Sequence, residues 1–264
     1  MESSDIVYKY RNWQNQFHKK TLYKNEIYLS KPSEFNDPFD CRIPTNYFLI
    51  SDENLENFIG LILNSTQPYL TDLDTINSEK QMLRDRFADR SNFQLKSENI
   101  EFDLLNNHSG VFCVSYKWNS LLMWSHYANC HKGFCIGYYE EDLRNSRLFG
   151  RGGPVNYDKV YPAIKPNPAP TKNDIMLDYF TKTHTKSIEW EYEMEYRFLT
   201  TSFPEELNRL VKLPEFCIAE IILGVSISDQ DKKEILIETE RRKIKTFQAL
   251  KVPFKFELDR VKIN

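Results

Sequence analysis

Two apolar hexads, VFCVSY at residues 111–116 and FCIGYY at 134–139, flank the stretch NSLLMWSHYANCHK. Neither hexad alternates between apolar and polar residues, so each reads as a strand buried on both faces, inside a sheet. The stretch between them begins at Asn119 or Ser120, residue types that cap helices, and is stopped by Gly133. A helix over 119–132 is therefore predicted. A strand–helix–strand unit of this kind needs neighbours on both sides, and the rest of the chain supplies them.

IVYKY (6–10) and EIYLS (26–30) read as strands with a helix over 12–23 between them. IAEIILG (218–224) reads as a strand, 228–242 as a helix and PFKFEL (253–258) as a last strand. From Ser51 to about Asn107 the texture is helical. Leu55, Phe58, Ile59 and Ile62 form one stripe behind a Ser51 cap, and Met82, Leu83 and Phe87 form another. Residues 150–170 hold Gly150, Gly152, Gly153, Pro154, Pro162, Pro166, Pro168 and Pro170, which makes a loop with one short strand at VNYDKVY. A helix from about Lys172 to Ser187 follows. The expected fold is α+β: one domain over residues 1–264, a mixed central sheet with flanking helices and a helical insertion at about 51–108.

Overall charge points to no partner, and leaves room for a local basic groove. Thirty-five basic against 38 acidic residues give a net charge of −3, with no global pull toward nucleic acid or an anionic membrane. No apolar run approaches the roughly 20 residues that span a bilayer. MESSDIVYKYRNW lacks an apolar signal region, so a cytoplasmic address is expected. Cys41, Cys113, Cys130, Cys135 and Cys217 are odd in number and scattered, which argues against disulfides. Cys113, Cys130 and Cys135 with His126 and His131 fit no usual zinc spacing, and Cys113 and Cys135 fall inside expected buried strands, so the thiols read as buried core groups.

Residues 188–199 read IEWEYEMEYRFL. If extended, alternation places Trp190, Tyr192, Met194, Tyr196 and Phe198 on one face and Glu191, Glu193, Glu195 and Arg197 on the other. If helical, Glu191 and Glu195 stack one turn apart. Like charges in a row cost free energy unless solvent, a cation or a reaction uses them. A solvated acidic face is the plainer account. The functional one is that Arg197 orients one carboxylate and leaves another to stabilise positive charge on a sugar as a glycosidic bond breaks.

His126 is a second candidate, with Trp124, Ser125 and Tyr127 crowding a ring-shaped pocket around it; a core histidine is the alternative. In the helical reading Leu122, His126 and Cys130 share a face, and His131 is a cation near the helix C-terminus. FNDPFD (35–40) is a third. Asn36-Asp37-Pro38 has the chemistry of an Asx turn that stiffens the exit from the second strand, and Asn36, Asp37 and Asp40 also gather hydrogen-bonding groups beside Ser30. A phosphate loop, a His-Glu-x-x-His motif and a nucleophile elbow are all missing from the sequence.

Taken in order, FNDPFD, LLMWSHYA followed by HKGFCIGY, and WEYEMEYR resemble the signature of a large bacterial family known as a domain of unknown function. The arrangement also resembles the ADP-ribosyltransferase architecture, in the toxin branch that modifies nucleic acid. That resemblance implies NAD as co-substrate with no resident metal. Lys9 or Tyr10 in the first strand would hold NAD, although those enzymes carry His or Arg there and only Arg11 offers this. Ser30 would pack on the nicotinamide, with Asn36 and Asp37 beside it. Glu195 would polarise the ribose, Glu193 would orient or activate the acceptor, Arg197 would keep the pair ionised, and His126 and Tyr127 would line the adjacent wall. The implied function is ADP-ribose transfer or NAD hydrolysis by a bacterial toxin or antiphage effector. Its partners would be a nucleotide or NAD-like small molecule and a nucleic-acid or protein acceptor. Two alternatives stay open: a metal-dependent nuclease or phosphohydrolase using Asp37, Asp40, Glu193 and Glu195 on Mg²⁺ or Mn²⁺, and a non-enzymatic sensor or interaction module.

Overall fold

In the computed structural model, which describes residues 6–201 and 208–264, the chain runs β1 (Ile6–Arg11), α1 (Gln16–Lys24), β2 (Glu26–Tyr28), α2 (Asp52–Thr66), α3 (Leu73–Ala88), α4 (Arg90–His108) and β3 (Ser109–Ser115). It continues through α5 (Leu121–Tyr127), β4 (Phe134–Tyr139), α6 (Glu140–Asn145), β5 (Arg151–Pro154), β6 (Asn156–Asp158), α7 (Lys172–His184) and β7 (Thr185–Ser187). After a 3₁₀ turn (Ile188–Glu193) come β8 (Glu195–Thr201), β9 (Leu210–Lys212), β10 (Ile218–Leu223), α8 (Asp229–Arg242), β11 (Lys245–Lys251) and β12 (Leu258–Lys262). The class is α+β, and the chain divides into two compact units.

The first unit comprises residues up to Glu34, His108–Tyr157 and Lys186–Asn264. Its eight-stranded sheet has the order β12-β11-β10-β4-β1-β3-β8-β5. Only β10 and β11 run parallel, joined by the α8 crossover; the other pairs are antiparallel. β4 is covered on both faces as its composition requires: Phe134, Ile136 and Tyr138 enter one core and Cys135 the other. β1 and β3 touch at Tyr8↔Ser115, and further along Ser30 bridges Val111 instead. Between these two points the Cys113 carbonyl accepts from the Lys9 ammonium, so a side chain fills a break in the ladder.

Several expected bounds move. The helix forecast for 119–132 ends at Tyr127, because Asn129, Cys130 and His131 all take left-handed backbone (φ 49°, 53° and 65°). His131 is therefore no helix-terminal cation, and Leu122, His126 and Cys130 do not share a helical face. Of the thiols expected in the core, Cys135 is buried but Cys130 is exposed. The turn is held by His131 N–H to the Trp124 carbonyl (3.1 Å) and Gly133 N–H to the Ala128 carbonyl (2.8 Å). Gly133 is needed for a further reason: a Cβ there would lie 2.1 Å from the Arg11 carbonyl oxygen. PFKFEL is a hairpin tip rather than a strand, with Phe254 and Phe256 fully exposed, and the strands lie either side of it at Lys245–Lys251 and Leu258–Lys262.

The second unit, Phe35–Asn107 and Asp158–Thr185, holds α2, α3 and α7 and most of α4. Ile50, Phe58, Ile59 and Phe87 form its core, with Phe87 and Phe93 stacked at 4.3 Å. Asp72 caps α3 and Thr171 with Asp174 forms a capping box on α7. Ser51 stands at the N-cap of α2, although its hydroxyl accepts from Asn54 rather than from the backbone. Among the described residues, no helix is long and apolar enough to cross a membrane.

Two glycines should respond oppositely. Gly133→Ala is expected to destabilise by roughly 2–3 kcal/mol through the forced backbone shift. Gly60→Ala, in α2 with open space around it, should stabilise by about 0.5–1 kcal/mol. Chemical denaturation of both variants checks this.

Candidate active site

The stretch 188–199 is neither wholly extended nor wholly helical. Ile188–Glu193 winds as a 3₁₀ turn, Met194 takes left-handed backbone (φ 45°), and β8 begins at Glu195. A non-glycine residue in that conformation costs about 1–2 kcal/mol. Two contacts hold it: Met194 N–H on the Glu191 carbonyl (3.1 Å) and the Met194 carbonyl under Tyr116 N–H (2.9 Å). The kink leaves Glu191 exposed in the turn and sends Glu193 and Glu195 inward.

Four charged side chains meet there, all buried: Lys186 is 7%, Glu193 4%, Glu195 6% and Arg197 0% exposed. Arg197 grips Glu195 with two parallel hydrogen bonds, Nε to Oε1 and Nη2 to Oε2, each 2.8 Å. This is the strong bidentate geometry of a guanidinium on a carboxylate. Lys186 Nζ donates to Glu193 Oε2 at 2.6 Å and lies 3.5 Å from Glu195 Oε2. Tyr127 Oη donates to the other Glu193 oxygen at 2.6 Å. Ser115 Oγ donates to the Glu193 carbonyl (2.6 Å), and Tyr157 Oη accepts the Glu195 N–H (2.8 Å).

The two carboxylates are driven apart in acidity. Burial pushes both up. At Glu195 the Arg197 charge and hydrogen bonds, with Lys186, overcome that and hold the carboxyl well below the usual range. At Glu193 burial prevails over Lys186, the Glu195 charge adds to it, and the pKa is raised. One carboxylate is thus locked as an anion and the other is poised to take a proton, which is how paired carboxylates divide roles.

Around this pair Tyr127, Trp190 and Tyr192 are half-buried and His126 is exposed. His126 lies 6.1 Å from the Tyr192 ring and 6.3 Å from the Tyr127 ring, Trp190 lies 6.0 Å from Tyr192, and Lys186 Nζ sits 4.6 Å over Trp190. The result is an aromatic wall over a polar floor. Of the residues singled out from sequence, Glu193, Glu195, Arg197 and Tyr127 come together, and His126 stands at the rim. Lys9 is half-buried and is acted on by the charges of both glutamates. Tyr10 points elsewhere: its hydroxyl donates to the Lys117 carbonyl (2.7 Å) and its ring meets Trp124 edge-on. Ser30 takes part through its backbone bridge to Val111. Asn36 and Asp37 belong to the second unit, where Asp37 Oδ1 accepts from Phe39 N–H (2.9 Å) as in the Asx turn read from sequence.

Sequence reasoning missed Lys186, Ser115 and Tyr157. Each reaches the pair from a separate strand, at separations of 7 and 78 residues from Glu193 for the first two and 38 from Glu195 for the third, and no periodicity encodes such contacts. Among the described residues no group of three or more His, Cys, Asp or Glu forms a metal-binding cluster.

Fold and site together define an α+β protein with a carboxylate pair sunk beneath an aromatic wall. Residues 123–198 match the model of a family described as a protein of unknown function, DUF2971. The matched segment takes in most of α5, the turn to Gly133 and all of WEYEMEYR, in keeping with the motif resemblance, and stops short of FNDPFD. No curated protein and no solved structure matches the chain.

The sign of the pH dependence follows from these shifts. Glu195, lowered in the folded state, contributes stability that is complete above the ordinary carboxylate value of about 4.3 and is lost as pH falls toward its folded pKa. Wild type should therefore lose melting temperature as pH falls from about 5 toward 2, and Glu195→Gln, less stable at pH 6, should lose less over the same range. Arg197→Met alone should destabilise by about 3–5 kcal/mol by stranding the buried Glu195 charge, and adding Glu195→Gln should restore part of that. Thermal melts across pH test both.

Proposed function

We propose that the protein cleaves the bond between nicotinamide and ribose in NAD, passing ADP-ribose to water or to a nucleic-acid or protein acceptor. The observation that carries this reading is the split carboxylate pair: a locked anion, Glu195, beside a raised-pKa carboxylate, Glu193, joined to the hydroxyl of the half-buried Tyr127. As the C1′–N bond breaks, its electron pair leaves with nicotinamide, which departs neutral. The oxocarbenium left behind is stabilised by nearby negative charge. The acceptor O–H then adds to C1′ and its proton passes to Glu193, directly or through Tyr127. The rings of Tyr192 and His126 offer stacking surface for a flat base. Compared with the roles expected from resemblance, proton transfer falls to Glu193 as the base, because the Arg197 charge holds Glu195 as an anion of low proton affinity while burial raises that of Glu193. The setting in this reading is a cytoplasmic bacterial toxin or antiphage effector.

A second reading draws on the burial of all four charges: a buried ionic lock in a binding module, with no reaction. Nicotinamide release from NAD distinguishes the two, measured with and without chelator and with DNA, RNA and protein acceptors. Catalysis predicts chelator-resistant release that falls by roughly 10²–10³ in Glu193→Gln, with a smaller fall in Tyr127→Phe. Absence of release under every condition, with Glu193→Gln changing only the melting temperature, would favour the lock. Release abolished by chelator would favour the metal-dependent class.

A further inference from the structure

The turn between β11 and β12 holds two phenylalanines where folding alone would not put them. Phe254 and Phe256 are the two most exposed large apolar side chains among the described residues. Val252 N–H donates to the Glu257 carbonyl (3.0 Å), and Lys255 N–H donates to the Val252 carbonyl (3.3 Å). Pro253 stands second in the turn so closed, and Phe254 third, with left-handed backbone (φ 60°). Proline followed by a residue of positive φ is the type II pattern, in which Gly or Asn normally takes the third place. A bulky residue is strained there. Strain that holds an apolar ring out in water contributes nothing to the stability of a lone chain, and it marks a surface with another use.

Beside the tip lies a groove of about 770 Å³. Leu121 at the start of α5, Val225, Val252 and Leu258 give it an apolar lining, together with the two phenylalanines. Cys130 and His131, from the left-handed turn after α5, complete the wall, and the Cys130 thiol is exposed. One patch therefore carries both a projecting apolar knob and an apolar hollow. Such a surface is complementary to itself: across a two-fold axis the tip of each copy fills the groove of the other. The area suffices. A buried phenyl hides about 150–250 Å², so four rings and the surface they cover account for roughly 1,200–2,000 Å², the size of a standard stable interface. The charges agree as well. The rim carries both signs, Lys251 and Lys255 with Glu257, and Lys255 lies 3.8 Å from Glu257. A copy can meet opposite charge across the axis, where a rim of one sign would repel its own copy.

We propose that the β11–β12 tip and the groove beside it form a two-fold interface through which two copies of this chain associate. The proposal does not depend on the NAD reading.

Sedimentation velocity of the full chain in reducing buffer, from nanomolar to high micromolar concentration, tests it. Wild type should pass from monomer to dimer, and Phe254→Asn and Phe256→Ser should each raise the dissociation constant at least tenfold. At a concentration where wild type is monomeric, Phe254→Asn should melt at the same temperature or higher, because Asn accepts left-handed backbone. Maleimide labelling of Cys130 should slow as wild type dimerises and stay fast in Phe254→Asn. A wild type that is monomeric at every concentration would overturn the proposal, as would a dimer indifferent to both substitutions. So would a dimer in which Cys130 reacts as fast as in the monomer, or a clear fall in the melting temperature of monomeric Phe254→Asn, the mark of a ring that belongs to the fold. Monomeric wild type that binds phosphatidylserine vesicles, and loses that binding in Phe254→Asn, would assign the tip to a lipid surface and remove the second copy.

Discussion

The Arg197–Glu195 pair is the interaction on which this part of the molecule turns. It sits at the start of β8, between β3 and β5, with the guanidinium wholly buried. Such a pair need add little net stability, because desolvating both ions offsets much of their attraction. Its effect is on arrangement. With Arg197 committed to Glu195, Lys186 has to serve Glu193, and the Met194 kink puts the Glu193 side chain where Tyr127 can reach it. The site follows from a satisfied buried network in which each polar group fixes the next.

The sheet carries a second consequence of the same economy. β1 and β3 separate after a single register pair, and Lys9 and Ser30 divide the exposed edge of β3 between them. The break is filled by the Lys9 side chain, which leaves β1 on the face opposite to the one that carries Glu195 and Arg197 on β8.

Much of the fold was legible in the sequence because its strongest signals are local. VFCVSY and FCIGYY could only be interior strands, and the stripes of 51–107 could only be helices. What failed was decided at longer range. The helix after Ser120 stops at Tyr127 because residues 129–131 turn left-handed to bring Gly133 against the Arg11 carbonyl, a contact no pattern announces. PFKFEL alternates like a strand, yet its two phenylalanines point into solvent at a hairpin tip. Lys245–Lys251 carries too weak an alternation to stand out, and is a strand because it pairs in parallel with β10. At the site, the residues lying within one motif, Glu193, Glu195 and Arg197, were visible. Lys186, Ser115 and Tyr157 were not; the first pairs with the Glu193 carboxylate, and the other two hold the backbone on either side of the Met194 kink.

The most direct test of this division is a carboxyl ¹³C NMR titration of the two glutamates, assigned with Glu193→Gln and Glu195→Gln. We expect the Glu193 signal to titrate above the ordinary value of about 4.3 and the Glu195 signal below it, with the order preserved in Tyr127→Phe. Two ordinary midpoints, or Glu195 titrating above Glu193, would contradict the locked-anion arrangement and the role given to Glu193.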